Sequence, residues 1–235
     1  MSCILNIETS TSVCSVALSM DGEVLFAKAS FDGPSHAALL GVFVEEALSV
    51  LKKKGKRALD AVAVSSGPGS YTGLRIGVSV AKGLCFGFGI PLIGIHTLDI
   101  MAATVNSKGD SQIVSITDDC LYCAMLDARR MEVYAAIYDA SLKPVRETKA
   151  DIVEVGTYAS YLEKGKVCFF GNGASKCKSV ITSPNAIFIE DIHPLAVNMI
   201  PLSEQAFAAG KFEDTAYFEP FYLKEFVASK PKKLL

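Results

Sequence analysis

The sequence predicts an α/β protein of two similar lobes, each a mixed sheet with flanking helices. Three observations carry that expectation. The order strand, strand, strand, helix, strand, helix, strand, helix reads twice along the chain, a repeat of pattern with only slight identity between the halves. Two apolar runs, Ile4 to Glu8 and Cys123 to Asp127, each end on a carboxylate and lie about half a chain apart. The length, 235 residues, is enough for two lobes with cores of their own. The expected division is 1–106 for the first lobe, which carries the partner-binding helices, and 112–235 for the second, with the last helix packing back on the first. Asn106 to Ser111 (NSKGDS) is the best linker in the chain.

In the first half, Ile4 to Thr9 is an apolar strand running into the polar cluster Glu8-Thr9-Ser10-Thr11-Ser12. Val13 to Leu18 alternates as a second strand, Met20-Asp21-Gly22 turns, and Glu23 to Ser30 is the third. Ser35 is a candidate N-cap for a helix to Lys54, whose closing lysines suit the negative end of the helix dipole. Leu40, Phe43, Ala47 and Leu51 form its apolar stripe. Leu39, Val42 and Val50 widen that stripe beyond what covering a sheet requires.

Leu59 to Ser65 reads as a buried strand, and Gly67-Pro68-Gly69 reverses the chain. The next helix runs to about Phe86, with Gly73, Gly77 and Ala81 on one face where a second helix can approach closely. A glycine inside a helix costs about 1 kcal/mol against alanine, so several together predict a packed face. Pro91 to Ile95 is a strand and Thr97 to Val105 a helix.

The second half follows the same order. Cys123 to Asp127, Glu132 to Tyr138 and Leu142 to Thr148 are strands, Val153 to Glu163 a helix, and Val167 to Phe170 a strand. Gly171-Asn172-Gly173 opens another helix, Ala186 to Ile189 is the last strand, and Pro194 to Ala209 closes as a helix kinked at Pro201. Pro220 to Lys224 (PFYLK) is an aromatic segment expected to pack on a lobe.

A net charge of −2 and a fifth of charged residues exclude a strong general field for nucleic acid or membrane. Lys230, Lys232 and Lys233 form a basic cluster at the tail, read as a solvated terminus. Gly83 to Ile95 is too short, and too broken by Pro91, to span a bilayer. Seven irregularly spaced cysteines and a Met-Ser-Cys start without a secretion signal predict a reduced, cytoplasmic setting. Cys120 and Cys123 lack the second pair of a zinc site and do not open a helix as a redox pair would, so both read as small core residues.

The turn Glu8, Thr9, Ser10, Thr11 offers a carboxylate, hydroxyls and backbone N–H groups to a phosphate or metal-bound water, and serves equally as a polar turn between strands. The Gly67 to Gly73 loop has neither the glycine spacing nor the following Lys of a Walker A loop, and it stands one residue out from the dinucleotide fingerprint. Ser70 lacks the glycines of a nucleophile elbow. What remains is a helix N-terminus at which Gly67, Gly69 and Ser70 could meet an anion. His36, His96 and His193 form no HxxxH pair, so no metal site and no catalytic residue is predicted.

Together ILNIETST, GPGSYTGLRIGVSVAKGL, MLDARRMEVY and PFYLK resemble the bacterial TsaB (YeaZ) family over most of the chain, the GPGSYTG segment and its helix most specifically. The resemblance implies the actin-like ATPase (ribonuclease H-like) fold and a non-catalytic, scaffolding role in making threonylcarbamoyladenosine beside the tRNA anticodon. It implies pairing with the paralogue TsaD, the glycoprotease-like subunit that transfers the threonylcarbamoyl group, and work alongside the ATPase TsaE. Alone the chain is expected to form a homodimer, and tRNA is expected to be met only through the complex.

ATP or ADP with magnesium at the partner interface is the one cofactor the resemblance admits. The candidate contacts are Glu8, Thr9, Ser10, Thr11, Gly67, Gly69, Ser70, Asp127 and Arg129. Leu39, Val42, Phe43, Gly73, Leu74, Gly77, Val78 and Ala81 form the expected partner interface, so Gly77→Arg is expected to abolish pairing and leave the lobe folded. Three departures argue against catalysis: Leu40 replaces the second histidine of the catalyst's HxxxH pair that would begin at His36, Glu8 stands where many members carry Asp, and Asp127-Ala128-Arg129-Arg130 replaces an Asp-Gly phosphate loop. The alternative is an ATPase or phosphotransferase of the same fold using Glu8 and Asp127. A peptidase lacks any nucleophile–base pair.

Overall fold

A computed structural model describes residues 2–33, 35–55, 58–107 and 120–224. The expected linker beyond Ser107 and the lysines of the C-terminal tail lie outside the described residues.

Among the described residues ten strands form two sheets of one topology. The first contains β1 (Cys3–Glu8), β2 (Cys14–Met20), β3 (Glu23–Ser30), β4 (Ala61–Gly67) and β5 (Leu92–His96), in the order β3-β2-β1-β4-β5. The second contains β6 (Leu121–Asp127), β7 (Glu132–Tyr138), β8 (Pro144–Ile152), β9 (Val167–Phe170) and β10 (Ala186–Ile189), in the order β8-β7-β6-β9-β10. In each, the central strand is antiparallel to its hairpin mate and parallel to the strand beyond it. The repeated pattern of the sequence is thus a repeated topology.

The alternation along β1 sorts its side chains between two layers, as a pleated strand requires. Cys3, Leu5 and Ile7 pack under α1 (His36–Lys53) and α2 (Tyr71–Phe88), against Leu40, Phe43, Ala47, Leu51, Val78 and Ala81. Ile4 faces the other way, toward Ile100 of α3 (Thr97–Ser107) and Met199 and Ile200 at the start of the closing helix. Leu98, Met101, Ala102 and Val105 of α3 pack instead with Ala124, Leu126 and Phe170 of the second sheet. The same helix therefore serves both cores.

Three second-half expectations are corrected. The helix expected from Val153 shrinks to α4 (Ala159–Leu162), because Gly156 turns at φ +90° and the Thr157 hydroxyl accepts from the Glu154 N–H at 2.8 Å. After Gly171-Asn172-Gly173 there is only a 3₁₀ turn, Ser175–Cys177. Those glycines serve close approach to β6: a Cβ on Gly171 would lie 2.3 Å from the Met125 carbonyl oxygen, and one on Gly173 2.8 Å from the Leu126 carbonyl carbon. Pro201 kinks nothing. It sits in the first turn of α5 (Ile200–Ala208), where its missing N–H is not needed, behind a 3₁₀ turn at Ala196–Met199. Among the described residues no helix is long and apolar enough to cross a membrane.

Candidate functional site: the two strand ends and the outer helical face

The matching carboxylates sit at matching strand ends, but in opposite environments. Glu8 is fully buried. One oxygen accepts from the Ser10 N–H at 2.8 Å, while Oε2 and the Ser10 hydroxyl have no partner. Desolvation by burial outweighs the lowering effect of the neighbouring Ser10, Ser65 and Thr9 groups and pushes the Glu8 carboxyl up to about 7. Asp127 is exposed, and it accepts from the Arg129 N–H at 2.8 Å and from the Lys176 ammonium. The Asp127 N–H donates to Asn172 Oδ1 at 2.9 Å. Lys176 and Asn172 are nonlocal partners that no spacing in the sequence announces.

The Glu8–Thr11 turn and the Gly67–Ser70 loop do meet, by nesting on each other. The Ser70 N–H donates to the Ser10 carbonyl at 2.6 Å, and the Ser70 hydroxyl caps α2 by accepting from the Gly73 N–H at 3.2 Å. The Thr9 hydroxyl donates to the Gly73 carbonyl at 2.8 Å, and the Thr11 hydroxyl accepts from the Val13 N–H at 3.2 Å.

Residues 213–224 then lie over this loop as a strap. The Phe221 N–H donates to the Ser66 carbonyl at 2.6 Å, and the Phe221 carbonyl oxygen would lie 2.8 Å from a Cβ on Gly67. Lys82 of α2 donates to the Ala216 and Phe218 carbonyls at 3.0 and 3.1 Å, and Lys224 pairs with Glu132. The PFYLK segment does pack on a lobe, and it also reaches the second sheet. Among the described residues no group of three or more His, Cys, Asp or Glu side chains converges as a metal site would.

Six of the eight residues of the expected partner interface lie inside the chain. Phe43, Gly73, Leu74, Gly77, Val78 and Ala81 are buried within the chain. The glycine stripe exists so that the Thr9 turn can seat on α2: a Cβ on Gly77 would come 2.2 Å from the Thr9 hydroxyl, and one on Gly73 2.1 Å from the Thr9 carbonyl. Gly77→Arg would disrupt this seat rather than probe an interface. Periodicity shows which residues share a face and is silent on what lies opposite.

Val42 remains exposed at 47% and Leu39 is half-buried. The outward face of the helix pair also carries Ala38, Gly41, Ser79, Gly83 and Gly87, with Phe86 88% exposed at its end. Gly41, Gly83 and Gly87 have open space where a Cβ would be.

The cysteines stay in the core, with one unforeseen neighbour. Cys120 Sγ lies 3.0 Å from Cys168 Sγ, while Cys123 points into the opposite layer of the second sheet.

Comparison with known proteins gives consistent results. Residues 33–159 match the family described as TsaD, tRNA N6-adenosine threonylcarbamoyltransferase. The chain is 32% identical to the tRNA threonylcarbamoyladenosine biosynthesis protein TsaB of Escherichia coli K12, over 97% of this chain and 96% of that protein. It is 38% identical over 112 residues to a tRNA N6-adenosine threonylcarbamoyltransferase of Nitratidesulfovibrio vulgaris, covering 42% of this chain and 31% of that one. Its fold superposes on a Pseudomonas aeruginosa protein described as similar to peptidase YEAZ, with a TM-score of 0.78, 26% identity, and coverage of 95% of this chain and all of that one.

Proposed function

The chain belongs to the TsaB (YeaZ) family, and from that premise we propose that it is the non-catalytic, scaffolding subunit in formation of tRNA N6-threonylcarbamoyladenosine, pairing with a TsaD-type paralogue that carries the chemistry. The observation that carries this reading is the outer face of α1 and α2: apolar, studded with small residues, and uncovered among the described residues. Exposed apolar surface of this kind gains by being covered, and small residues let a second helix pair approach closely. The same face would make homodimers when the partner is absent, and a TsaE-type ATPase would act on the assembled pair.

The strand ends favour the same conclusion. Glu8 is sealed beneath its own turn and Asp127 is held by Lys176, so neither carboxylate is free to hold a metal-bound nucleotide in the way an ATPase of this fold would need.

Size-exclusion chromatography of the chain with the TsaD-type protein of the same organism tests the reading. The wild type should give one mixed peak. Val42→Arg and Gly83→Arg, both at open positions, should keep their circular dichroism and lose co-elution. Co-elution unchanged by both would overturn the helical interface, and magnesium-dependent ATP turnover by the isolated chain would favour the enzymatic alternative.

A further inference from the structure

The turn between β6 and β7 holds two consecutive arginines in the left-handed backbone region, Arg129 at φ +72° and Arg130 at φ +48°. Glycine, asparagine or aspartate suits such positions, and each other L-residue there costs roughly 1–2 kcal/mol. Both arginines are exposed. Neither guanidinium has a carboxylate within ion-pair distance among the described residues. The two acids of this rim are already engaged, Asp127 by Lys176 and Glu132 by Lys224. The positive charge of the turn is therefore left uncompensated within the described chain.

A tilted pair of tyrosine rings, 39° between planes, forms at the same strap. Lys224, which holds Glu132, stands two residues from Tyr222, and the Tyr222 ring lies 5.0 Å from that of Tyr71 at the start of α2. Above Tyr71, at 4.3 Å from its centroid, sits the guanidinium of Arg75, a third exposed arginine. Cations interleaved with aromatic and guanidinium faces suit single-stranded RNA, whose bases stack on such planes while its phosphates seek the charge. An acidic protein would use the charge and leave the rings idle.

We propose that the β6–β7 turn, Arg75 and the Tyr71–Tyr222 pair form a direct contact surface for a single-stranded RNA loop, with phosphates at Arg129 and Arg130 and a base seated against the guanidinium and rings of the Arg75, Tyr71 and Tyr222 cluster. This rests on the tRNA-modification reading above and departs from it in one respect: the chain itself touches the RNA. A net charge of −2 makes the contact local and salt-sensitive.

The test uses the full chain assembled with its TsaD-type partner, an unmodified tRNA transcript as the probe, and affinity measured across a salt series. The combined variant Arg129→Asn, Arg130→Gly removes both charges while suiting the turn, so it should fold and co-elute with the partner as the wild type does. Its affinity for the transcript should fall by about tenfold, and the slope of log K against log salt should shrink by about 1.4, two phosphate contacts' worth. Arg75→Ala should weaken binding to the transcript further. Unchanged affinity and slope in a variant that still co-elutes would overturn the proposal and leave the scaffold reading intact. If even the wild-type chain fails to co-elute, that reading falls separately, and the same two chains compared alone on the same transcript decide the RNA contact. Equal, arginine-dependent binding of polyglutamate would assign the surface to an acidic protein and overturn the RNA assignment.

Discussion

At Glu8 a single buried carboxyl sets a pH dependence whose sign can be worked out. Folded, it keeps its proton up to about 7; unfolded, it loses it near 4.5. Between those values the folded chain binds more protons, so Glu8 makes stability fall as pH rises from 4.5 to 7 and contributes no further change above. The shift corresponds to about 3 kcal/mol. Urea unfolding of wild type and Glu8→Gln should therefore agree near pH 4.5 and diverge toward pH 7 in favour of the variant, and parallel pH profiles would refute the burial argument. The α2 glycines make a second residue-scale pair. Gly83→Ala, with open space at its Cβ, should raise stability by about 1 kcal/mol, while Gly77→Ala, driven against Thr9, should lower it by about 1–3 kcal/mol. Thermal melts of the two variants should move in opposite directions.

Among the elements, strands and the longer helices were legible because burial imposes its own period on the sequence: β3, β7, β9 and β10 fall on the expected residues. The short helices were less so. Apolar spacing around Val153 suggests a helix, but Gly156 and Thr157 build a competing turn, and Val155 is left 89% exposed. The site was legible in part. Glu8 and Asp127 could be matched as strand ends from their runs alone, whereas Lys176, Asn172 and the route of the strap depend on contacts between distant segments. The strap makes its own prediction. Lys82 holds two of its carbonyls, so Lys82→Met should hasten chymotryptic cleavage at Tyr217, itself 84% exposed, with little change in melting temperature. Equal cleavage rates would mean that the Phe221 and Lys224 contacts suffice to hold it.

For the molecule as a whole, α3 is the shared structural member, with Ile100 in one core and Leu98, Met101, Ala102 and Val105 in the other. Its position predicts that the two sheets melt together. Ile100→Ala and Met101→Ala should each cost about 2–5 kcal/mol and lower one common calorimetric transition. Two separable transitions, each moved by only one substitution, would show independent lobes. The contrast between strand ends covered by the chain's own segments and an outer helical face left open among the described residues is also a property of this scale.

The strap has one more consequence, for solubility. Where it passes β5, the Glu213 N–H donates to the Leu92 carbonyl at 2.9 Å, so it pairs with the outer rim of the first sheet opposite β3. An uncapped row of strand amides and carbonyls invites pairing with another copy, which is how sheet proteins begin to form aggregates. A chain ending at Gly210 would leave that rim bare beside the apolar Leu92, Ile93 and Ile95. Such a chain should scatter light at concentrations where the full chain stays clear, with the strap acting as a guard against self-templating.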